Sequence, residues 1–158
     1  MRLARSECIV IFDFDGVLVD EGELPRVGAL ELLKSYIRMG IEVLILTGRR
    51  ASQRRRIEEV LWESGVVPAD LCALITRPDS RCEGEIEWKL SVLNRLTATL
   101  GATLCELHDD NPDVLEAASE VNNELCLVLH EKTGAFHVYR PTRKCIVQPT
   151  ERVSELRG

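Results

Sequence analysis

The sequence is poor in aromatic residues, with two Trp, two Tyr and three Phe among 158 residues. That scarcity argues against recognition by stacking many bases on aromatic rings. It also leaves the core to Leu, Val, Ile and Ala. No apolar run approaches the roughly 18–20 residues needed to cross a bilayer; the longest are Cys8–Phe12 and Val43–Leu46. The first residues, Met1 to Glu7, carry no apolar stretch of the kind that marks a secretory signal. These absences predict a soluble cytoplasmic protein with no membrane partner. The six cysteines (Cys8, Cys72, Cys82, Cys105, Cys126, Cys145) contain no CxxC pair and no Cys/His cluster at zinc spacing. Four lie in apolar, strand-like segments, which predicts buried thiols in a reducing compartment over a disulfide framework. Internal repeats and low-complexity stretches are also missing.

What is present is an ordinary globular mixture, 45% hydrophobic and 29% charged, in a chain long enough for one domain. The net charge of −6 argues against a general nucleic-acid coat protein. The charge is uneven, however: Arg49, Arg50, Arg54, Arg55 and Arg56 form a basic knot, either a solvated helix face or a patch for an anionic ligand. Strand and helix patterns alternate. Cys8–Phe12, Glu42–Leu46, Leu71–Thr76, Thr103–Leu107 and Leu125–Leu129 read as strands. Helical spacing runs from Val27 to Ile37, from Ser52 to Ser64, from Ile86 to Leu100, and onward from Pro112. The turn His130 to Gly134 allows Ala135–Tyr139 to pair back as an antiparallel edge. The expected fold is α/β: a Rossmann-like three-layer α/β/α domain over residues 1–140, with a mostly parallel sheet of about five strands. Residues 141–158 read as a charged tail.

In such sheets, ligands bind beyond the carboxyl ends of the strands. The first strand delivers Asp13-Phe14-Asp15-Gly16 there, the second Thr47-Gly48-Arg49, the third Thr76-Arg77, and the fourth His108-Asp109-Asp110-Asn111-Pro112-Asp113. Two carboxylate clusters converging on one edge repel each other unless a cation neutralises them. Oxygen ligands without Cys or His favour Mg²⁺ over zinc. An EF-type calcium loop is excluded, because Val17 and Leu18 stand where that pattern needs an acid and a glycine.

Asp13-Phe-Asp-Gly-Val-Leu-Val, Leu46-Thr-Gly-Arg, Lys89 on its helix and Asp109-Asp-Asn-Pro-Asp113, in that order, resemble the four motifs of the haloacid dehalogenase-like phosphohydrolase superfamily. The resemblance covers roughly Cys8 to Leu129. It implies that Asp13 is the nucleophile that takes up the phosphoryl group and that Asp15 is the general acid and base. Thr47 would bond the phosphoryl oxygens, and Lys89 would neutralise them and orient Asp13. It further implies a Mg²⁺ site made from Asp13, the Phe14 backbone carbonyl and Asp109, with Asp15 beside it and Asp110 or Asp113 in support. A structural role is the expectation for His108. His130 and His137 carry no assigned role, and Trp62 and Trp88 are expected to pack.

The intervals after the first and third strands are too short for a cap domain, so the site should be open to a large substrate or closed by a homo-oligomeric neighbour. The run from Thr47-Gly-Arg through the arginine-rich helix, Thr76-Arg77-Pro and Trp88-Lys89 is similar to the phosphatase domain of polynucleotide kinase-phosphatases. By that similarity Gly48, Arg49, Arg54 and Arg77 would contact substrate phosphate, and the substrate would be a 3′-phosphate nucleic-acid end. Two other readings stay open: a small-metabolite or nucleotide phosphatase closed by oligomerisation, and a non-catalytic phosphate-binding adaptor domain.

Overall fold

Successive residues of the strand Ile9–Phe12 (β1) point into two different cores, as the period of an extended chain requires. Val10 and Phe12 join one cluster, and Ile9 and Ile11 join the other. The neighbouring strand Glu42–Arg50 (β2) divides in the same way, Val43 and Ile45 against Leu44 and Leu46. The first cluster is closed by Leu30 and Leu33 of helix Val27–Arg38 (α1) and by Ile57, Val60 and Leu61 of helix Arg54–Glu63 (α2). The second is closed by Trp88, Val92 and Leu93 of helix Glu85–Leu100 (α3) and by Val114, Leu115 and Ala118 of helix Pro112–Val121 (α4). Helices therefore cover both faces of the sheet. The remaining strands are Ala73–Arg77 (β3), Leu104–Asp109 (β4), Cys126–His130 (β5) and Phe136–Val138 (β6). This computed structural model describes residues 8–80 and 82–141. The expected tail therefore lies, apart from Pro141, outside the described residues, as does Cys145.

Strand order is β3-β2-β1-β4-β5-β6, parallel throughout except for the antiparallel β6. The α/β three-layer expectation holds, with six strands in place of about five, because the short hairpin partner after His130 completes the sheet. The chain leaves β1 toward β2 on one side and returns as β4 on the other, so the carboxyl ends of β1 and β4 flank the switch point. Among the described residues no cap is inserted. Residues 13–26 instead form a tight double turn, with Gly16 N donating to Val19 O (2.8 Å) and Arg26 N to Leu18 O (2.8 Å).

Two irregularities in the ladder shape the sheet edge. Between Leu46 and Arg50 the pairing of β2 with β3 slips, so Thr47, Gly48 and Arg49 bulge out of register. Between Ile9 and Val10 the pairing of β1 with β4 also shifts, leaving Cys105 as the extra residue. Cys105 is joined to Cys8 as a disulfide (Cα–Cα 5.5 Å), and Cys72, Cys82 and Cys126 are exposed. This corrects the expectation of buried free thiols. The bulge sets Cys105 beside Cys8, while Cys72 and Cys126 stand at strand starts beyond the cover of the helices. Trp88 packs as expected, but Trp62 is 65% exposed and does not.

Leu33 is fully buried where α1 meets the sheet. Leu33→Ala should lower unfolding free energy by about 2–5 kcal/mol in urea titrations. A loss below about 1 kcal/mol would mean that α1 does not close this core.

Candidate active site

Asp13 follows β1 directly, and its backbone N–H donates to the His108 carbonyl (2.9 Å), which carries the β1–β4 pairing one step past the strand. Asp109 ends β4. The two carboxylates thus emerge side by side at the switch point, and both are at least 96% buried. Lys89, from the second turn of α3, places Nζ 3.1 Å from Asp13 Oδ2 and 3.1 Å from Asp109 Oδ2. Burial alone would lower the Lys89 ammonium, but Asp13 and Asp109 outweigh it and hold the group above its ordinary value. The second oxygens are used locally: Asp13 Oδ1 accepts from Phe14 N (2.7 Å), and Asp109 Oδ1 accepts from Asn111 N (3.0 Å).

Asp110 completes a trio with Asp13 and Asp109, each offering an oxygen within 4.8 Å of the others. Gly16 makes the approach possible. Its φ of +83° suits glycine, and a Cβ there would overlap the Asp110 carboxylate. Three carboxylates facing one ammonium leave the group short of positive charge. Burial, Asp109 and Asp110 accordingly push Asp13 well above the usual carboxylate range. Burial and Asp109 push Asp110 up to about 6. An oxygen-only, electron-rich set of this kind, with Asp13 and Asp109 buried and Asp110 exposed, fits a hard divalent cation such as Mg²⁺.

The other residues named from the sequence as ligands are engaged in other contacts. The Phe14 carbonyl accepts from Val17, Leu18 and Val19 N–H groups in the tight turn, so it is already consumed. Asp113 is exposed in the first turn of α4, where Asn111 caps its backbone N–H (2.9 Å). Both Asp15 oxygens are held by Arg49, Nε at 2.8 Å and Nη2 at 2.7 Å, in a two-pronged pair.

That pair also redefines the arginines. Arg49 bridges Asp15 to Glu23 (2.8 Å) and lies 5.0 Å from the centre of the Phe14 ring. Arg54 donates to the Leu74 carbonyl and pairs with Glu58 (3.4 Å). Arg77 ties the Gly48 carbonyl (3.1 Å) to the Glu83 carbonyl (3.1 Å), fastening the β2 bulge to the segment that precedes α3. Each of the three thus already holds a partner within the chain, although the bonds described leave Nη2 of Arg54 and of Arg77 open. Thr47 is buried at the end of β2, its Oγ1 accepting from Arg49 N (3.1 Å). The Glu85 carboxylate lies against Gly48, where a Cβ would collide with it, and 3.6 Å from Lys89 Nζ. Asp13, Asp15, Glu85, Lys89, Asp109 and Asp110 line one open cleft of about 920 Å³.

Sequence reading did not assign roles to Glu23, Glu85 or His130. Glu85 stands four residues before Lys89 on the same helix face, and that spacing was a usable signal. Glu23 and His130 reach their partners across the fold, which no local pattern announces. His130 is buried, with Nε2 2.8 Å from His108 Nδ1, and His108 Nε2 lies 2.9 Å from Glu106. Tyr36 donates to the same carboxylate (2.9 Å), and the His108 ring stacks on Phe12 (4.2 Å). The structural role expected for His108 is therefore what the contacts describe: it braces the backbone to which Asp13 is bonded. No helix among the described residues is long and apolar enough to cross a membrane. Comparison with protein-family models and with curated proteins finds no match.

The raised carboxyls fix a sign for pH dependence. Above the ordinary carboxylate range, the folded chain holds protons on Asp13 and Asp110 that the unfolded chain releases. The stability they contribute is present in acid and is lost as pH rises through their folded values, near 6 for Asp110. His130, held down to about 3, acts in the opposite sense, so the carboxyl contribution is read against Asp110→Asn. Without divalent cation the melting temperature of the parent should fall relative to that variant between about pH 4 and about pH 7, and Mg²⁺ should raise the parent's more at the upper end. A melting temperature indifferent to Mg²⁺ at neutral pH would exclude a metal from this trio.

Proposed function

We propose that this chain is a Mg²⁺-dependent phosphomonoester hydrolase of the haloacid dehalogenase-like type, acting through an aspartyl-phosphate on Asp13. The observation that carries the reading is the Asp13–Lys89–Asp109 contact at the switch point, with Asp15 two residues on and Thr47 at the neighbouring strand end. These five residues are the ones that the four sequence motifs single out, and a domain that only bound phosphate would not need a buried carboxylate in its anion site.

In the first step an Asp13 carboxylate oxygen attacks phosphorus, the ester P–O bond breaks, and Asp15 gives its proton to the departing alcohol oxygen. In the second, Asp15 takes a proton from water, the water oxygen bonds to phosphorus, and the Asp13–phosphorus bond breaks to release inorganic phosphate. Lys89 and the Thr47 hydroxyl offset charge on the equatorial oxygens. A cation held by Asp13, Asp109 and Asp110 would supply the remaining neutralisation. Arg49 holds Asp15 by both oxygens, so proton transfer requires one of those bonds to open. The polynucleotide-end reading draws no support from Arg49, Arg54 and Arg77, each of which is spent on an internal partner.

Asp13→Asn should abolish Mg²⁺-dependent release of phosphate from p-nitrophenyl phosphate; turnover at the parent rate would sink the mechanism. Asp15→Ala should cost on the order of 10²-fold or more with an alkyl phosphate and clearly less with the nitrophenyl ester, whose leaving group needs no proton. Equal losses with both would remove Asp15 from the role of acid.

A further inference from the structure

The Asp15 side chain is half-exposed, and the fork of Arg49 takes up both of its oxygens. The same guanidinium lies 5.0 Å from the centre of the fully buried Phe14 ring. Its third nitrogen, Nη1, donates to Glu23 Oε2 (2.8 Å). Glu23 Oε1 is filled from the other side by Arg56 of α2, through Nε (3.0 Å) and Nη2 (2.8 Å). Side chains of alternating charge, Arg56, Glu23, Arg49 and Asp15, thus run in a chain from α2 to the wall of the cleft.

Glu23 is also the one non-glycine residue among the described residues with a positive φ, +63°. That left-handed conformation is unfavourable for a residue with a side chain and persists where its surroundings enforce it. Here a turn built on Asp20 does so. The Asp20 carbonyl accepts from Glu23 N (3.0 Å), and Asp20 Oδ1 accepts from Gly22 N (2.8 Å) and Leu24 N (3.0 Å). The loop is therefore closed without the Glu23 side chain, whose two oxygens are spent on the two arginines. Their bonds hold the Glu23 carboxyl below its ordinary value, so it stays ionised between them.

Hydrolysis requires Asp15 to exchange partners. As acid it turns one oxygen from Arg49 to the leaving oxygen, and as base it turns one to water. During each exchange Arg49 loses a bond on that side, and its bond to Glu23 and the Phe14 ring keep the fork in place. We infer that Glu23 is a positioning residue: it retains Arg49 while Asp15 changes partners, so that Asp15 is presented to the cleft in one orientation. The inference rests on the phosphatase reading above and goes beyond it by giving a role to a residue outside the cleft wall. Glutamine cannot take that role, because it has one acceptor oxygen for two arginines and points an N–H group at the second. Glycine suits the positive φ and leaves both arginines without the carboxylate.

The test reads the first chemical step alone, as alcohol released in a single turnover with Mg²⁺. Two esters of similar size are compared: p-nitrophenyl phosphate, whose leaving group needs no proton, and 4-nitrobenzyl phosphate, whose alkoxide does. Glu23→Gly should slow nitrobenzyl release by about tenfold or more and nitrophenyl release by less than about threefold. The half-saturating concentration of each ester should stay within about twofold of the parent's, since Glu23 holds no part of the substrate. Acetate, which can seat between Arg49 and Arg56, should restore nitrobenzyl release, where chloride at equal ionic strength does not.

If the parent leaves p-nitrophenyl phosphate intact, the phosphatase reading falls and the role of Glu23 falls with it. If the parent cleaves that ester, the positioning role alone is overturned by equal losses on both esters, by no loss on either, or by a nitrobenzyl loss that acetate does not restore. A parent inert only toward the nitrobenzyl ester overturns it as well, since no acid is then present for Glu23 to place. Should Glu23→Gly fail to fold, Glu23→Gln decides, because it keeps the backbone and the size of the parent side chain. A loss confined to the nitrobenzyl ester supports the role, and an equal or absent loss overturns it.

Discussion

Lys89 brings a buried ammonium to the one place where two adjacent parallel strands both end in a carboxylate, and much of the chain serves to hold it there. Left without that charge, Asp13 and Asp109 would face each other in a low-dielectric corner where repulsion and desolvation both act against ionisation. The position of Lys89 is set by its neighbours on α3. Trp88, Val92 and Leu93 anchor the helix to the sheet in one core cluster, and Glu87 reaches back to the Gly84 N–H (3.1 Å) to close its first turn. Hydrophobic packing thus fixes the location of an electrostatic contact. The contact in turn is incomplete, since one cation serves three acids, and this shortfall is the physical basis for expecting a metal.

Two glycines give the site its asymmetry. At Gly16 the absent side chain admits Asp110 toward the Asp13–Asp109 pair, and at Gly48 it admits Glu85 toward Lys89. One approach gathers ligands for a cation. The other sets a half-exposed carboxylate against the ammonium, at the rim where a phosphoryl group would have to enter. An entering dianion and Glu85 repel each other, so occupancy of the site and the position of Glu85 are coupled by charge alone. The β2 bulge matters for the same reason: by leaving the ladder, Gly48 leaves room for the Glu85 carboxylate, and Arg77 holds the Gly48 carbonyl in place.

What could be read from the sequence followed the range of the interactions involved. Alternation in Ile9–Phe12 and helical spacing in α1 and α3 are local properties, and they located nearly every element within a few residues. Asp13, Asp15 and Asp109 were legible because strand ends in a parallel sheet point to one edge, whereas Lys89, on α3, was singled out only by its place in the motif order. The turn hydrogen bonds that engage the Phe14 carbonyl and the Asp113 backbone are not revealed by spacing. The internal partners of Arg49, Arg54 and Arg77 were hidden for a related cause. A run of arginines in sequence looks like a free positive patch until the acids that meet it are known, and Glu23 arrives from a loop 26 residues earlier than Arg49. The His108–His130 pair is longer in range still, joining β4 to β5.

Three arginines of the basic knot, Arg49, Arg54 and Arg56, are paired with acids, which bears on how this site would hold a substrate. Arg49 and Arg56 share Glu23, Arg56 also meets Glu59, Arg54 meets Glu58, and Arg50 donates to the carbonyls of Pro78 and Asp79. Charges paired at that range contribute little field at a distance, and the chain as a whole is net negative. Long-range attraction of a polyanion is therefore weak. Among the described residues no cap covers the cleft, so short-range complementarity in its walls carries the more weight in any selectivity.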